Sequence, residues 1–338
     1  MTSTIIPSRE TGAPPRPREI SALPGKSDRI FNRITSLSGL AVLATMVGVG
    51  LFLTIEALPA IKATGLPFIT SAEWKPDAGK FGIAGVLVGT LSIAVVAVII
   101  AVPIAMGAAL FITEIAPTWM RSTLVALVDL MAAVPSVVYG LWGLFLLQGQ
   151  VIGVSRWLNT WLGWLPGFGV AGVNPDDPLS SASVYSASIF IAGVTVAMMV
   201  MPISCVVMRE VFSQVPPGER EGAFALGAPR WGMIRVVALP FGRGGIIGGT
   251  MLGLGRALGE TIAISLIISP RFDVNFNILE AGGNAVAPLI ANRFNETSGV
   301  ASSALFAAGL VLFAMTLVVN FTASWFVARS RSGAGSDA

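Results

Sequence analysis

Histidine is absent from all 338 positions, and cysteine occurs once, at Cys205. Without imidazole there is no His-ligated metal site, no Ser-His-Asp triad and no Cys-His dyad. One thiol cannot close an internal disulfide, and Cys205 stands in an apolar run where a small buried hydrophobe is the expected role. Charge is scarce as well: Asp, Glu, Lys and Arg make up 12% of the chain, against roughly 25% in an average globular protein. A water-solvated surface cannot be built from so few charges. The nucleotide-binding loop is missing too. Gly25-Lys26-Ser27 is the only Gly-Lys-Ser triplet, and Ile20 occupies the position where that loop requires its first glycine. If the chain takes part in an ATP-driven process, the ATPase is another polypeptide. The net charge of +3 does not point to nucleic acid, because the basic residues are scattered over separate loops instead of forming one stripe.

What is present in abundance is apolar sequence, 54% of the chain, with a mean hydropathy of +0.79. Residues 1–27 are the exception, with Pro7, Pro14, Pro15, Pro17 and Pro24 beside Arg9, Arg16 and Arg18. Such a segment has too little apolar area to offset chain ordering, so 1–30 reads as a flexible tail. Apolar runs follow at about 34–57, 83–112, 122–147, 184–208, 244–268 and 301–328, each at or above the roughly 20 residues that cross a bilayer. The first is too long for a signal-peptide core and should be retained. The expected fold is therefore an all-α polytopic membrane protein with six transmembrane helices over 31–330 and a short tail at 331–338. With the N-terminus inside, 14 Lys and Arg fall on the cytoplasmic side and six on the other, which places both termini in the cytoplasm. Trp157, Trp161 and Trp164, spaced for one face of a short helix in the outer loop 148–182, read as an interfacial anchor.

Three segments carry chemistry. The loop at about 212–242 contains Glu221-Gly222-Ala223-Phe224-Ala225-Leu226-Gly227-Ala228, then Arg230-Trp231 and Leu239-Pro240. Small residues let a short helix seat in a partner's groove, Gly227 permits a sharp turn, and Pro216 and Pro217 fix the entry. Span five carries Gly245, Gly249, Gly253 and Ala257 at steps of four, a smooth strip for close helix packing. On a helical wheel Arg256 and Glu260 fall near Gly245, so the charges are expected on the packed face. Arg256 is the only basic residue within any predicted span, and a charge at that depth usually faces a bundle interior or an aqueous path. An i, i+4 structural pair between Arg256 and Glu260 is the competing reading. Span three holds Asp129 and then Pro135-Ser136, where the missing N–H opens the helix beside the Ser136 and Tyr139 hydroxyls, as a gate or as a packed kink. Asn320 in span six is expected to make an interhelical hydrogen bond.

The strings Pro135 to Phe145 and Gly255-Arg256-Ala257-Leu258-Gly259-Glu260-Thr261 resemble the PstC-type permeases of bacterial phosphate ABC importers, and the 221–240 loop resembles the EAA loop of importer permeases. Gly222 for the usual Ala and Val237 for the usual Ile are mild departures in that loop, and Asp129 stands where the family usually has Glu. The resemblance covers about 80–328. It implies a MetI-like fold, a PstA-type second permease, a PstB-type ATPase dimer carrying ATP and Mg, and a PstS-type external phosphate-binding protein. It implies a role in transport for Arg256 and Glu260; with the polar residues of spans three and five, Asp129, Ser136, Tyr139 and Thr261, these are the expected translocation-path residues. ATPase coupling then falls to Glu221, Gly222, Ala223, Gly227, Ala228 and Arg230, and this chain itself binds no cofactor. A permease for another oxyanion or small solute is the nearest rival. An intramembrane enzyme using Asp129 and Glu260, or a passive channel, are the more distant ones.

Overall fold

The computed structural model describes residues 25–75, 79–170, 172–173 and 182–331. The Pro-rich segment before Gly25, residues 76–78, residues 171 and 174–181 of the expected outer loop 148–182, and the tail after Arg331 lie outside them; the first part of that expected loop, 148–162, is instead the C-terminal half of a membrane-length helix. The described chain is almost entirely helical, as a bilayer requires of any segment that must satisfy its own backbone. Helix α1 (Lys26–Thr64) is apolar all round, and none of its most apolar window is buried within the chain. The chain divides into two units, one ending at Val49 and the other beginning at Gly50.

Within the second unit, α2 (Pro67–Thr70) and the paired strands β1 (Trp74–Lys75) and β2 (Lys80–Phe81) precede α3 (Ala84–Leu110), which ends in a π-helical turn at Phe111–Ile115. Next come α4 (Thr118–Ala133), α5 (Ser136–Trp142), a π-helical turn at Gly143–Leu147 and α6 (Gln148–Leu162). The long α7 (Ile189–Ser213) leads to α8 (Pro217–Ala225), α9 (Arg230–Met233), a third π-helical turn at Ile234–Ala238, and α10 (Leu239–Phe241). Helices α11 (Arg243–Gly259), α12 (Ile262–Ile267), α13 (Val286–Arg293) and α14 (Val300–Arg331) complete the chain.

Among the described residues, five helical segments are long and apolar enough to cross a membrane: Ser27–Thr64, Ala84–Ile115, Ser136–Leu162, Ile189–Ser213 and Val300–Thr322. The pair Arg230–Phe241 and Arg243–Gly259, bent by 67°, is long and apolar enough only when taken together, as a broken span or a re-entrant loop, so the described residues hold five candidate spans or six. Two predicted spans are corrected in their bounds. The run 122–147 is not one helix. It breaks at Val134 and Pro135, both extended, because proline disfavours helical backbone at the residue before it; the membrane-length helix starts at Ser136 and runs on to Leu162. The run 244–268 breaks at Glu260, whose backbone is extended (ψ 126°). The structure also moves Trp164 off the helix bearing Trp157 and Trp161, since α6 ends at Leu162; all three rings are exposed.

The core is built on α7, which packs along α3 on one side and α11 on the other. Fully buried Ile93, Ile189, Ile191, Met199, Val200 and Leu258 fill it. Among its polar groups, the Thr90 hydroxyl accepts from the Val286 N–H at 2.9 Å and donates to the Val86 carbonyl, and Asn159 donates to the Tyr185 hydroxyl at 2.8 Å. A second buried cluster around Ala109, Phe212, Met233 and Ile234 joins the ends of α3 and α7 to the segment that follows α8.

Candidate functional site

The glycine strip does what its spacing foretells. Gly245, Gly249 and Gly253 are buried against α7, and a Cβ on Gly253 would stand 2.5 Å from Val200 Cγ1 and 2.7 Å from Ser204 Oγ. The close approach lets Ser204 donate a hydrogen bond to the Gly249 carbonyl at 2.9 Å, fixing α11 on α7.

The charges, however, do not share that face. Arg256 is exposed and lines a groove of about 620 Å³ with Gly248, Met251, Leu252, Gly255, Ile203 of α7 and Asn320 of α14. The physical reason is the slow rotation of a four-residue repeat on a 3.6-residue helix: the strip advances roughly 40° at each step. At the height of Arg256 it has turned some 60° to 100° away from that side chain. Among the described residues the Arg256 guanidinium has no ion-pair or hydrogen-bond partner, so the structural pair with Glu260 is not formed. Glu260 is buried and uses Oε1 to accept the Ala263 N–H at 3.2 Å, holding the first turn of α12. Thr261 lies in the break itself, its hydroxyl donating to the Gly259 carbonyl at 3.2 Å. The interhelical hydrogen bond expected of Asn320 is likewise not made; its amide opens into the groove that Arg256 lines.

Asp129 is not an isolated acid in apolar surroundings. Its carboxylate, about half exposed, lies 3.8 Å from the Arg209 guanidinium on α7. Ser136 begins α5, and the buried Tyr139 donates its hydroxyl to the Met131 carbonyl at 2.8 Å. Pro135 thus frees the Met131 carbonyl of the preceding turn, and the Tyr139 hydroxyl takes it up. The structure groups Arg256 with Asn320, and leaves Asp129 and Tyr139 occupied by other partners.

The 221–230 segment forms a surface feature. Glu221, Gly222, Phe224 and Ala225 are exposed on α8, Leu226 is 91% exposed, and Ala223 and Ala228 are partly covered. Gly227 ends the helix with φ +81°, a left-handed conformation that a side chain would strain. Arg230 opens α9 and is exposed beside Trp231. Beneath α8 lies a contact that sequence reasoning missed: Arg220 Nη2 meets Glu114 Oε1 at 3.0 Å. Glu114 stands just past the end of an apolar run, and that displaced acid is the one signal that could have marked it. Arg271 holds Asp273 through two hydrogen bonds and Glu280 through one, tying down the segment between α12 and α13.

The fold aligns with two solved transporters. One is the methionine ABC transporter MetNI in an inward-facing conformation (TM-score 0.53, 12% identity, 76% of this chain and 99% of the other). The second is a bacterial ABC transporter involved in import of the polysaccharide alginate (TM-score 0.53, 19% identity, 89% and 99%). Residues 101–332 match the family described as binding-protein-dependent transport system inner membrane component. Fold and match together define the class: a multi-pass permease of the ABC importer type. The phosphate transport system permease protein PstC of Haemophilus influenzae is 39% identical over 86% of this chain and 90% of its own length. The protein of that name from Xylella fastidiosa is 36% identical over 94% and 95%, and PstC 2 of Mycobacterium tuberculosis 35% over 88% and 91%. The chain belongs to the PstC family of binding-protein-dependent inner membrane permeases.

Proposed function

We propose that this chain is one permease half of an ATP-driven importer of inorganic phosphate. Arg256 carries the reading: a guanidinium without a partner among the described residues, facing a groove in a membrane helix, in a family whose relatives bear the name of phosphate transport. Its planar fork matches the oxygens of an oxyanion. Glu260, one turn on, tempers the local positive field so that the anion is released, because a lone cation in low dielectric would hold a dianion too tightly. Thr261 and Ser136, each at a helix break, flank the path in this reading, while Tyr139 and Asp129 support it structurally.

The other half of the path is a PstA-type permease, and α8 with Gly227 and Arg230 docks on a PstB-type ATPase dimer that binds ATP and Mg. A PstS-type protein delivers phosphate from outside, both termini are cytoplasmic, and this chain holds no cofactor. Radiolabelled phosphate uptake by the assembled transporter in proteoliposomes tests the proposal. Uptake that requires ATP and is blocked by excess unlabelled phosphate but not by sulfate supports it. Uptake of sulfate in preference, or none of either anion, contradicts it.

A further inference from the structure

We infer that the Arg220–Glu114 ion pair is the strut that carries movement of the exposed helix α8 into the membrane helices, which makes both residues positioning residues for coupled transport. The inference rests on the reading of α8 as the ATPase-docking element. Arg220 immediately precedes Glu221 and lies on the inner side of α8; its guanidinium is 25% exposed while the Glu114 carboxylate is 4% exposed. The same Nη2 donates at 2.9 Å to the carbonyl of Phe212, in the last turn of α7. One side chain therefore grips the ends of two membrane helices at once, α7 through a backbone acceptor and α3 through the acid in its terminal π-helical turn.

The chemistry suits force transmission. Burying two charges gives little or no net stability over an apolar pair of the same shape, so what this pair contributes is geometry more than stability. The bond to the Phe212 carbonyl is charge-assisted and directional, from a guanidinium whose donors lie in a fixed plane, while the contact with Glu114 is a close ion pair without hydrogen-bond geometry, Glu114 Oε1 having no hydrogen-bond partner among the described residues. An apolar seat for α8 would let the helix slide when pushed. A guanidinium clamped between the Phe212 carbonyl and Glu114 resists sliding, so a displacement of α8 moves α3 and α7 with it. The π-helical turn at Phe111–Ile115 adds a local irregularity of the kind that recurs at functional positions. Glu114 also sits one turn from Leu110 in the buried cluster that joins α3, α7 and the segment after α8.

The test uses the whole transporter in proteoliposomes with inorganic phosphate as the probe, reading phosphate moved per ATP hydrolysed. Glu114→Gln and Arg220→Gln should each lower that ratio about tenfold, within the usual span of a coupling between two sites. Arg220→Lys, which keeps the charge but not the fork, should retain part of it. The double variant Glu114→Gln with Arg220→Gln leaves no unpaired buried charge, so it should assemble normally yet remain uncoupled. A double variant with the unmodified ratio would overturn the inference. So would variants in which uptake and hydrolysis fall in equal proportion, or a double variant that fails to assemble, since each marks a merely structural pair. If the unmodified transporter itself shows no phosphate-dependent hydrolysis, the functional reading fails instead, and the control separates the two.

Discussion

Gly253→Ala adds one methyl where α11 and α7 are closest. That carbon would lie 2.5 Å from Val200 Cγ1 and 2.7 Å from Ser204 Oγ, against the roughly 3.5–4.0 Å of an ordinary carbon contact. The helices must part by about 1 Å. Overpacking of this kind costs about 1–3 kcal/mol, and parting also weakens the Ser204 bond to Gly249, about 1 kcal/mol more. Alanine gains up to about 1 kcal/mol over glycine in helix propensity, which would mask part of the loss. Gly248→Ala supplies the control on the same helix: nothing lies within 4 Å of its added carbon, so only the propensity gain applies. The two variants should differ by about 2 kcal/mol or more, with Gly253→Ala the less stable. The lone thiol gives the assay, since Cys205 is 1% exposed beside Ser204 and reacts with a fluorogenic maleimide once α7 opens. Equal thermal midpoints for the two variants would refute the close-packing argument.

Replacing Gly227 by Leu forces a branched side chain into φ +81° and should uncouple ATP hydrolysis from uptake while leaving the chain inserted; uptake at the unmodified rate would count against the docking role of α8. Arg271→Lys breaks the fork on Asp273 and should lower thermal stability by about 1 kcal/mol, the modest value usual for a partly exposed pair; an unchanged midpoint would show that the segment between α12 and α13 is held by other contacts. The hydrogen bond from Lys80, then the charges of Lys75 and Lys80, hold the Glu73 carboxyl below its ordinary value. A depressed carboxyl contributes above its ordinary value and loses that contribution as pH falls through the lowered one. Carbon-13 titration of Glu73 should therefore give a midpoint below 4.5, moving upward in Lys80→Gln.

The membrane class and the glycine contact were legible because they depend on composition and periodicity, which a bilayer enforces strictly. Pro135 announced its break, and Gly227 its turn, since each residue restricts or frees the backbone locally. The break at Glu260 carried no such mark: no proline stands there, and what stabilises it is the Glu260 carboxylate folding forward onto the Ala263 N–H. The same capture of Glu260 removed the partner expected for Arg256. Arg220 and Glu114 are 106 positions apart, so no local pattern could have joined them. Asn320 was recognised as a polar residue in a span, yet only the packing of α14 on α11 shows that its amide meets the groove instead of a neighbouring helix.

The central claim concerns Arg256, which is placed to handle an anion because it faces the groove without a partner among the described residues. The most direct measurement is phosphate uptake by the assembled transporter carrying Arg256→Gln, with Arg256→Lys beside it and subunit assembly followed in parallel. Since Glu260 is engaged with Ala263 and not with Arg256, neutralising Arg256 strands no buried ion pair, and assembly should be unchanged. The account predicts uptake lost by at least about tenfold in Arg256→Gln, the consequence of removing one charge-assisted contact worth about 1.5–3 kcal/mol, with Arg256→Lys in between. Uptake near the unmodified rate in a fully assembled Arg256→Gln transporter would contradict it.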